Sequence, residues 1–553
     1  MVLIVDVQLK GPTLGVFRRA IQEMESQDNS RCCGVMSKVI IEAVKNKLRK
    51  QSFGFKDGVA VSSKKLLLEG QGSVEISLKP TKAQENIVKS LTKVILHQMG
   101  AKKQYNLTDG QENLLLSLCV ENMQVEHMQV ENFATVRPSH GTHSSIASAI
   151  ENILCNTDSD LLRKSQAERE RERESSASFQ VNCYCCLETD RPRSNYSNIA
   201  EEFDKIDIQD SCSSEETARE LQSTHSFLTG ISLSQETLSQ SKIWFLPCPE
   251  FEGLWESLHF EDGVKQKLSA YATISLKLAG FSKQRLSQTL VSNNKILLVH
   301  GPPGTGKTTV CRALCQKLAI RYNNDPKDLF KDVDYQAIVV ELSCSRIFSR
   351  WFGESAKNLE KIFQDLERLL MSSLNQNRFI CLLMDEVETL ASSRESLMKK
   401  NETTDGIRVV NTLLTKLDSL KRFNNLLVLA TSNVASSLDA AFLDRADGVF
   451  YIGAPSKHGT CVILTSAIRE LLETGVIYAA EGPALLESYD VQEAIQKISQ
   501  QCVQTGVTGR TLRKLPLVCM SEHYSSLPVA LNEFLIALAY TVKRRKHAYS
   551  PRS

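Results

Sequence analysis

The stretch Lys295-Ile296-Leu297-Leu298-Val299-His300-Gly301-Pro302-Pro303-Gly304-Thr305-Gly306-Lys307-Thr308 decides the fold. An apolar run of strand length meets a glycine-rich turn that ends in Lys-Thr, and Val310, Leu314 and Leu318 then recur at helical spacing. This is a phosphate loop in its strand-to-helix context. The helix that follows points its positive amino-terminal dipole at the turn, where phosphates can bind. Pro302 and Pro303 have no N–H to give, so the cradle comes from backbone N–H groups around Gly304 to Thr309, and the glycines permit the curvature. Lys307 is placed to bridge terminal phosphates and the Thr308 hydroxyl to ligate magnesium. The nucleotide contacts expected are Gly301, Pro302, Pro303, Gly304, Thr305, Gly306, Lys307, Thr308 and Thr309.

A second apolar run, Phe379-Ile380-Cys381-Leu382-Leu383-Met384, ends in Asp385-Glu386. Six apolar residues in succession mark a strand buried on both faces. Asp385 is then placed to hold the water around the magnesium, and Glu386 to polarise an attacking water. Two acids after a strand also read as a solvated loop start, but their coexistence with the phosphate loop favours chemistry. The strands Ala337 to Val340 and Leu426 to Ala430 alternate with helical segments, so an open parallel sheet with crossovers is expected. The last of them runs into Thr431-Ser432-Asn433, where Asn433 can position water against a γ-phosphate. Leu443-Asp444-Arg445-Ala446-Asp447 and Gly509-Arg510 follow.

The chain has 553 residues, 42% hydrophobic and 24% charged. At about 150 residues per domain this predicts three or four compact units and excludes a fibrous or wholly disordered protein. No apolar run approaches the roughly 18 residues of a spanning helix, and Asp6 follows Met1 to Val5 before a secretory core can form. Lys+Arg 66 against Asp+Glu 64 gives a net charge of +2, without a strong global field for nucleic acid or an anionic membrane. The 16 cysteines are scattered rather than framed, which argues for reduced thiols. A soluble intracellular protein is expected, with no direct nucleic-acid or membrane partner.

The first part alternates strand and helix signals. Val5, Val7 and Leu9 keep period 2, as do Val74, Ile76 and Leu78; Ile40, Val44 and Leu48, and later Ile87, Leu91 and Ile95, keep helical spacing. An α+β domain is predicted over 1–187. From about 115 to 175 the text reads as an irregular insertion, because Val120 to Asn132 repeats itself and Glu168 to Glu174 alternates Glu with Arg without an apolar stripe. Cys183, Cys185 and Cys186 lack the second pair of ligands that structural zinc needs; Phe179, Val181, Cys183, Cys185 and Leu187 alternate as a strand instead. Residues 188–241, rich in Ser, Asp and Glu, read as linker.

GPPGTGKT, LLMDE, IRVVNTLLTKLDSL, TSN, DRAD and a C-terminal GR together resemble an AAA+ ATPase over about Trp244 to Lys543. Within that superfamily, WFLPCPEFEGLWESL, SRWFGESAKNLEKIF, LDRADGVFYIGAPS and TGRTLRKLP resemble the pachytene checkpoint protein 2 family, also called the thyroid receptor-interacting protein 13 family. The resemblance implies an α/β AAA+ module: a large nucleotide-binding domain at 242–455 and a helical lid at 456–553, preceded by an α+β domain that binds the client or its adaptor. It implies a ring homo-hexamer with ATP and Mg2+ at the subunit interfaces. Asn433 would be the first sensor, Arg445 the finger reaching into the adjacent site, and Arg510 the second sensor on the lid, with Arg513 able to share or exchange that role. DRAD carries one arginine where many relatives carry two. By itself, Arg445 also reads as a surface ion pair with Asp444 or Asp447.

Ser349-Arg350-Trp351-Phe352-Gly353-Glu354-Ser355 sets two large aromatics beside a glycine, between a strand and a helix. Such aromatics commonly anchor a helix in a core. The resemblance makes Trp351, Phe352 and Gly353 a central-pore loop instead, in which Trp351 grips an extended polypeptide, Phe352 braces it and Gly353 lets the loop swing. Arg394 to Thr404 reads either as a second pore-facing loop or as a mobile surface loop. The implied activity is ATP-driven local unfolding of HORMA-domain proteins, switching closed to open conformers in meiotic recombination, axis control and spindle-checkpoint silencing, in the nucleus and on chromosomes with a cytoplasmic pool. Two rivals stay open. A non-hydrolysing nucleotide-dependent scaffold is opposed by Glu386, Asn433 and Arg445, and a DNA-associated loader by the near-neutral charge and by Trp351-Phe352.

Overall fold

The computed structural model describes residues 2–24, 29–50, 60–62, 82–102, 107–128, 178–186, 233–260, 263–281, 295–322, 336–349, 355–372, 378–393, 403–479, 485–486 and 488–549. They fall into two units, the first within 1–185 and the second drawn from 186–323 and 333–553.

The first unit runs β1 (Val2–Leu9), α1 (Gly11–Met24), α2 (Asn29–Lys50), β2 (Ala60–Ser62), α3 (Lys82–Lys102), α4 (Asp109–Cys119), β3 (Val120–Met128) and β4 (Ser178–Tyr184). Its sheet has the order β2-β3-β1-β4, with β1 antiparallel to β3 and parallel to β4. Val5, Val7 and Leu9 share one buried face, as their alternation predicts, and join Ile40, Val44 and Leu48 of α2 in one core. On α3 the buried stripe is Val88, Leu91 and Ile95; Ile87, one residue and thus about 100° away, is 43% exposed and does not belong to it. The predicted strand at Val74, Ile76 and Leu78 and the Glu/Arg run lie outside the described residues, as does Leu187.

The expected irregular insertion does not begin at 115. Leu115 and Leu116 are buried on α4, and Val120–Met128 is an inner strand paired on both sides. Its sequence hides this because a bulge opposite Gln8 and Leu9 skips Glu121, so Val120, Met123 and Val125 all reach the core without strict alternation. Cys183 is buried on β4, where loss of water pushes its thiol up to about 12, and it forms no disulfide.

The second unit carries α5 (Gln235–Gln240), β5 (Ser241–Leu246), α6 (Val264–Phe281), β6 (Ile296–His300), α7 (Lys307–Arg321), β7 (Ala337–Ser343), α8 (Cys344–Ser349), α9 (Ser355–Met371), β8 (Phe379–Asp385), α10 (Thr403–Leu420), β9 (Leu426–Ser432), α11 (Ala440–Arg445) and β10 (Gly448–Tyr451). The predicted linker therefore ends earlier than 241, because α5 and β5 already belong to this unit. The sheet order is β10-β6-β9-β8-β7-β5, parallel except for β5, which runs antiparallel along β7. Helices cover both faces, which is why the inner strands read as continuous apolar runs. Ile296 and Leu298 share a core with Leu366 of α9 and Leu413 of α10, whereas Leu297 and Val299 share one with Val310 and Leu314 of α7. Each fully buried aliphatic side chain contributes about 1.5–3 kcal/mol, so α7 is anchored firmly behind the turn that precedes it.

The chain then forms a lid of α12 (Lys457–Glu473), β11 (Ile477–Tyr478), α13 (Tyr489–Gln504), α14 (Gly509–His523), β12 (Val529–Ala530) and α15 (Leu531–Tyr549). Its own core includes Leu464, Ile495, Leu515 and Phe534, and the two short strands pair in parallel. Among the described residues no helix is long and apolar enough to cross a membrane.

Candidate active site

Parallel pairing sets His300 opposite Ser432 and Ser343 opposite Asp385, so the carboxyl ends of β6, β9, β7 and β8 line one edge of the sheet. Open α/β sheets bind ligands at this edge. Gly301 leaves β6 at φ +148°, and a Cβ there would lie 2.0 Å from the Ile452 carbonyl oxygen, so no larger residue fits without moving backbone. Gly304 turns at φ +78° beneath the lid: a Cβ would sit 3.0 Å from Thr508 Oγ1. The loop then delivers the bare amino terminus of α7, whose first N–H groups have no intrahelical acceptor.

Lys307 Nζ folds back onto its own loop, donating to Gly301 O at 2.9 Å and Pro302 O at 2.8 Å. Burial holds this ammonium below its ordinary pKa; Glu388, Asp385 and Glu386 oppose the shift by their charge, and Arg510 adds to it. Thr308 Oγ1 donates to Asp385 Oδ1 at 2.7 Å. Thr431 Oγ1 donates to the same oxygen and accepts from Glu386 N at 3.2 Å, tying β9 to the end of β8. Glu386 stands at φ +56°, ψ +49°, a left-handed conformation that costs a non-glycine residue about 1–2 kcal/mol. Its side chain is exposed. A strained backbone that turns an acid outward beside Asp385 and Thr308 is the arrangement expected of a group facing a bound ligand.

Asn433 follows β9, and both its backbone N and its Nδ2 donate to Glu388 Oε1 at 3.1 Å. On the lid, Arg510 N donates to Gly304 O at 3.0 Å, and its side chain is exposed. Arg513 is engaged elsewhere, donating to Ser257 Oγ at 3.2 Å. Arg445 bonds none of the phosphate-loop residues. Its guanidinium grips Asp418 of α10 with two bonds, at 3.1 and 2.9 Å, and donates to Ala441 O at 2.8 Å. That grip holds the Asp418 carboxyl below the usual range.

Lys307, Thr308, Asp385, Glu386, Asn433 and the backbone of Arg510 thus converge, while Arg445 points its bonds away from this cluster. Trp351, Phe352 and Gly353 lie outside the described residues, as do 394–402 of the stretch Arg394 to Thr404, whose last two residues begin α10. The residues present fit a magnesium nucleotide: a glycine cradle that a side chain would fill, a helix amino terminus, one ammonium, and a hydroxyl–carboxylate pair of oxygen donors suited to a hard cation.

Three participants are not legible from motif spacing. Thr431 and Asp418 are visible only through contacts between distant elements. Glu388 had a weak local signal: the 3-10 turn Val387–Thr389 carries an acid three residues past Asp385 back toward the same side.

Residues 297–454 match the family model described as ATPase family associated with various cellular activities, and residues 456–546 match the TRIP13-like AAA+ ATPase lid C-terminal domain. The chain is 42% identical to pachytene checkpoint protein 2 of Saccharomyces cerevisiae, covering 98% of this chain and 99% of that one. It is 34% identical to the Homo sapiens pachytene checkpoint protein 2 homolog over 56% of this chain and 71% of that one. The solved structure of C. elegans PCH-2 is similar in fold, with a TM-score of 0.57 at 21% identity, over 98% of this chain and 99% of that one.

Proposed function

The chain belongs to the pachytene checkpoint protein 2 family of AAA ATPases, and from that membership we propose that it works as a ring homo-hexamer that locally unfolds HORMA-domain proteins. With or without an adaptor bound to the first unit, it switches closed conformers to open ones in meiotic recombination, axis control and spindle-checkpoint silencing. It acts in the nucleus and on chromosomes, with a cytoplasmic pool. Holding a conformer away from equilibrium needs an energy source, which ATP hydrolysis supplies.

The reading is carried by one observation: Thr308 and Asp385 are bonded at 2.7 Å, beside an exposed Glu386 held in left-handed backbone. Thr308 and Asp385 would hold Mg2+, which when bound neutralises charge on the phosphate oxygens. Lys307 exchanges two loop carbonyls for phosphate, Glu386 takes the proton of the attacking water, and Asn433 orients that water. Arg510 reaches the same nucleotide from the lid. Arg445, held by Asp418, serves the neighbouring subunit's site, so that hydrolysis depends on assembly. The Trp351-Phe352-Gly353 loop grips the client.

The test uses the full chain, ATP and a closed HORMA-domain client. Glu386→Gln should lower kcat by about 10²–10⁴-fold while nucleotide stays bound, and abolish conversion. Trp351→Ala should keep ATP turnover and lose conversion. Conversion at the native rate by either variant would sink the reading.

A further inference from the structure

Glu388 is the third acid at the end of β8, and the mechanism above leaves it without a task. Among the described residues its carboxylate takes its hydrogen bonds from Asn433: Oε1 accepts from Asn433 N and Nδ2, both at 3.1 Å. Oε2 is buried without a hydrogen-bond partner among the described residues. A side-chain amide has a donor end and an acceptor end, whereas a carboxylate offers only acceptors. Were the Asn433 amide flipped, its Oδ1 would face Oε1 at hydrogen-bond distance with no proton between them. Two acceptors so placed repel, and burial removes the solvent screening that would soften that repulsion.

The carboxylate therefore dictates one amide orientation, with Nδ2 toward Glu388 and Oδ1 away from it. The second bond, from the backbone N of Asn433, fixes the main chain at the same point. Glu388 also stands within electrostatic reach of Lys307, where its charge opposes the loss of protonation that burial favours, more strongly than Asp385 or Glu386 does.

We propose that Glu388 is a positioning residue for ATP hydrolysis, which locks the Asn433 amide so that Oδ1 accepts a hydrogen bond from the attacking water. Glu386 then withdraws the other proton. Asn433 serves in this arrangement as an acceptor for water and not chiefly as a donor to phosphate. This rests on the role given to Asn433 above, and acts only through that residue.

The experiment is a double-mutant cycle in the full-length assembled chain, reading kcat, KM and nucleotide affinity for Glu388→Ala, Asn433→Ala and the pair, with melting and assembly checked for each. Glu388→Ala should lower kcat about 10- to 100-fold, with nucleotide affinity within about threefold of native. The double variant should be no slower than Asn433→Ala alone, since a positioner has nothing to position once its amide is gone. Glu388→Gln, which keeps an acceptor oxygen and the same volume, should recover most of the lost rate. If Glu388→Ala does not fold, Glu388→Asp carries the same expectation, because its oxygens are drawn back by one methylene.

Native kcat in Glu388→Ala alongside a slow Asn433→Ala overturns the inference while sparing the role of Asn433. Native kcat in Asn433→Ala overturns both. Multiplying losses in the double variant, or a loss of affinity that matches the loss of kcat, would assign Glu388 a separate task and overturn it as well.

Discussion

Gly301 answers two demands at once, a φ of +148° and a neighbouring carbonyl, Ile452 O, only 2.0 Å from where a Cβ would stand. Neither can be met by rotating a side chain, because the obstacle is backbone. Gly301→Ala should destabilise the second unit by about 2–4 kcal/mol and weaken nucleotide binding at least about tenfold, read by thermal melting and by displacement of a fluorescent nucleotide. Native melting with native affinity would mean the loop moves aside freely. The candidate site residues set by local spacing, Gly301 to Thr309, Asp385, Glu386 and Asn433, are legible in the chain alone. Glu388 and Thr431 bond Asn433 and Asp385 across 45 and 46 positions, and such partnerships leave no periodic trace.

Among elements, α5 shows how a short helix is held. The Asp365 carboxylate of α9 accepts from Ser234 N at 2.7 Å, Ser234 Oγ at 2.6 Å and Thr237 Oγ1 at 2.7 Å, and it is 1% exposed. Six residues do not make a stable helix alone, so the docking supplies what local propensity lacks. Asp365→Ala would leave these donors facing a dry gap at about 1–3 kcal/mol each. Hydrogen exchange over 233–240 should speed up markedly while the lid stays protected; unchanged protection there would show that α5 holds by apolar contacts alone. Composition reads this segment as linker because it closes the Ser-, Asp- and Glu-rich stretch 188–241, and only the acid 128 positions beyond Thr237 reveals otherwise. β3 was missed for the opposite reason: its apolar residues are plain, but the bulge at Glu121 breaks the alternation by which a strand is recognised.

For the molecule as a whole, the question is whether Arg445 serves its own nucleotide or another copy's. Its two bonds to Asp418 and one to Ala441 hold it away from the chain's own phosphate-loop cluster. Arg445→Ala and Glu386→Gln chains should each be nearly inactive, yet an equal mixture should regain up to about a quarter of native turnover if sites are shared head to tail, since one junction in four joins an intact acid to an intact arginine. No recovery on mixing would place the arginine's action within one chain. The phosphate loop, meanwhile, is touched at both ends by the segment that leads into and returns from the lid: Ile452 presses on Gly301, and Thr508 and Arg510 cover Gly304. Tilting the lid must then disturb the very backbone that cradles the nucleotide. Thermodynamic reciprocity makes the converse equally binding, so a mechanical load that drags on the lid registers as a change in how tightly the nucleotide is held.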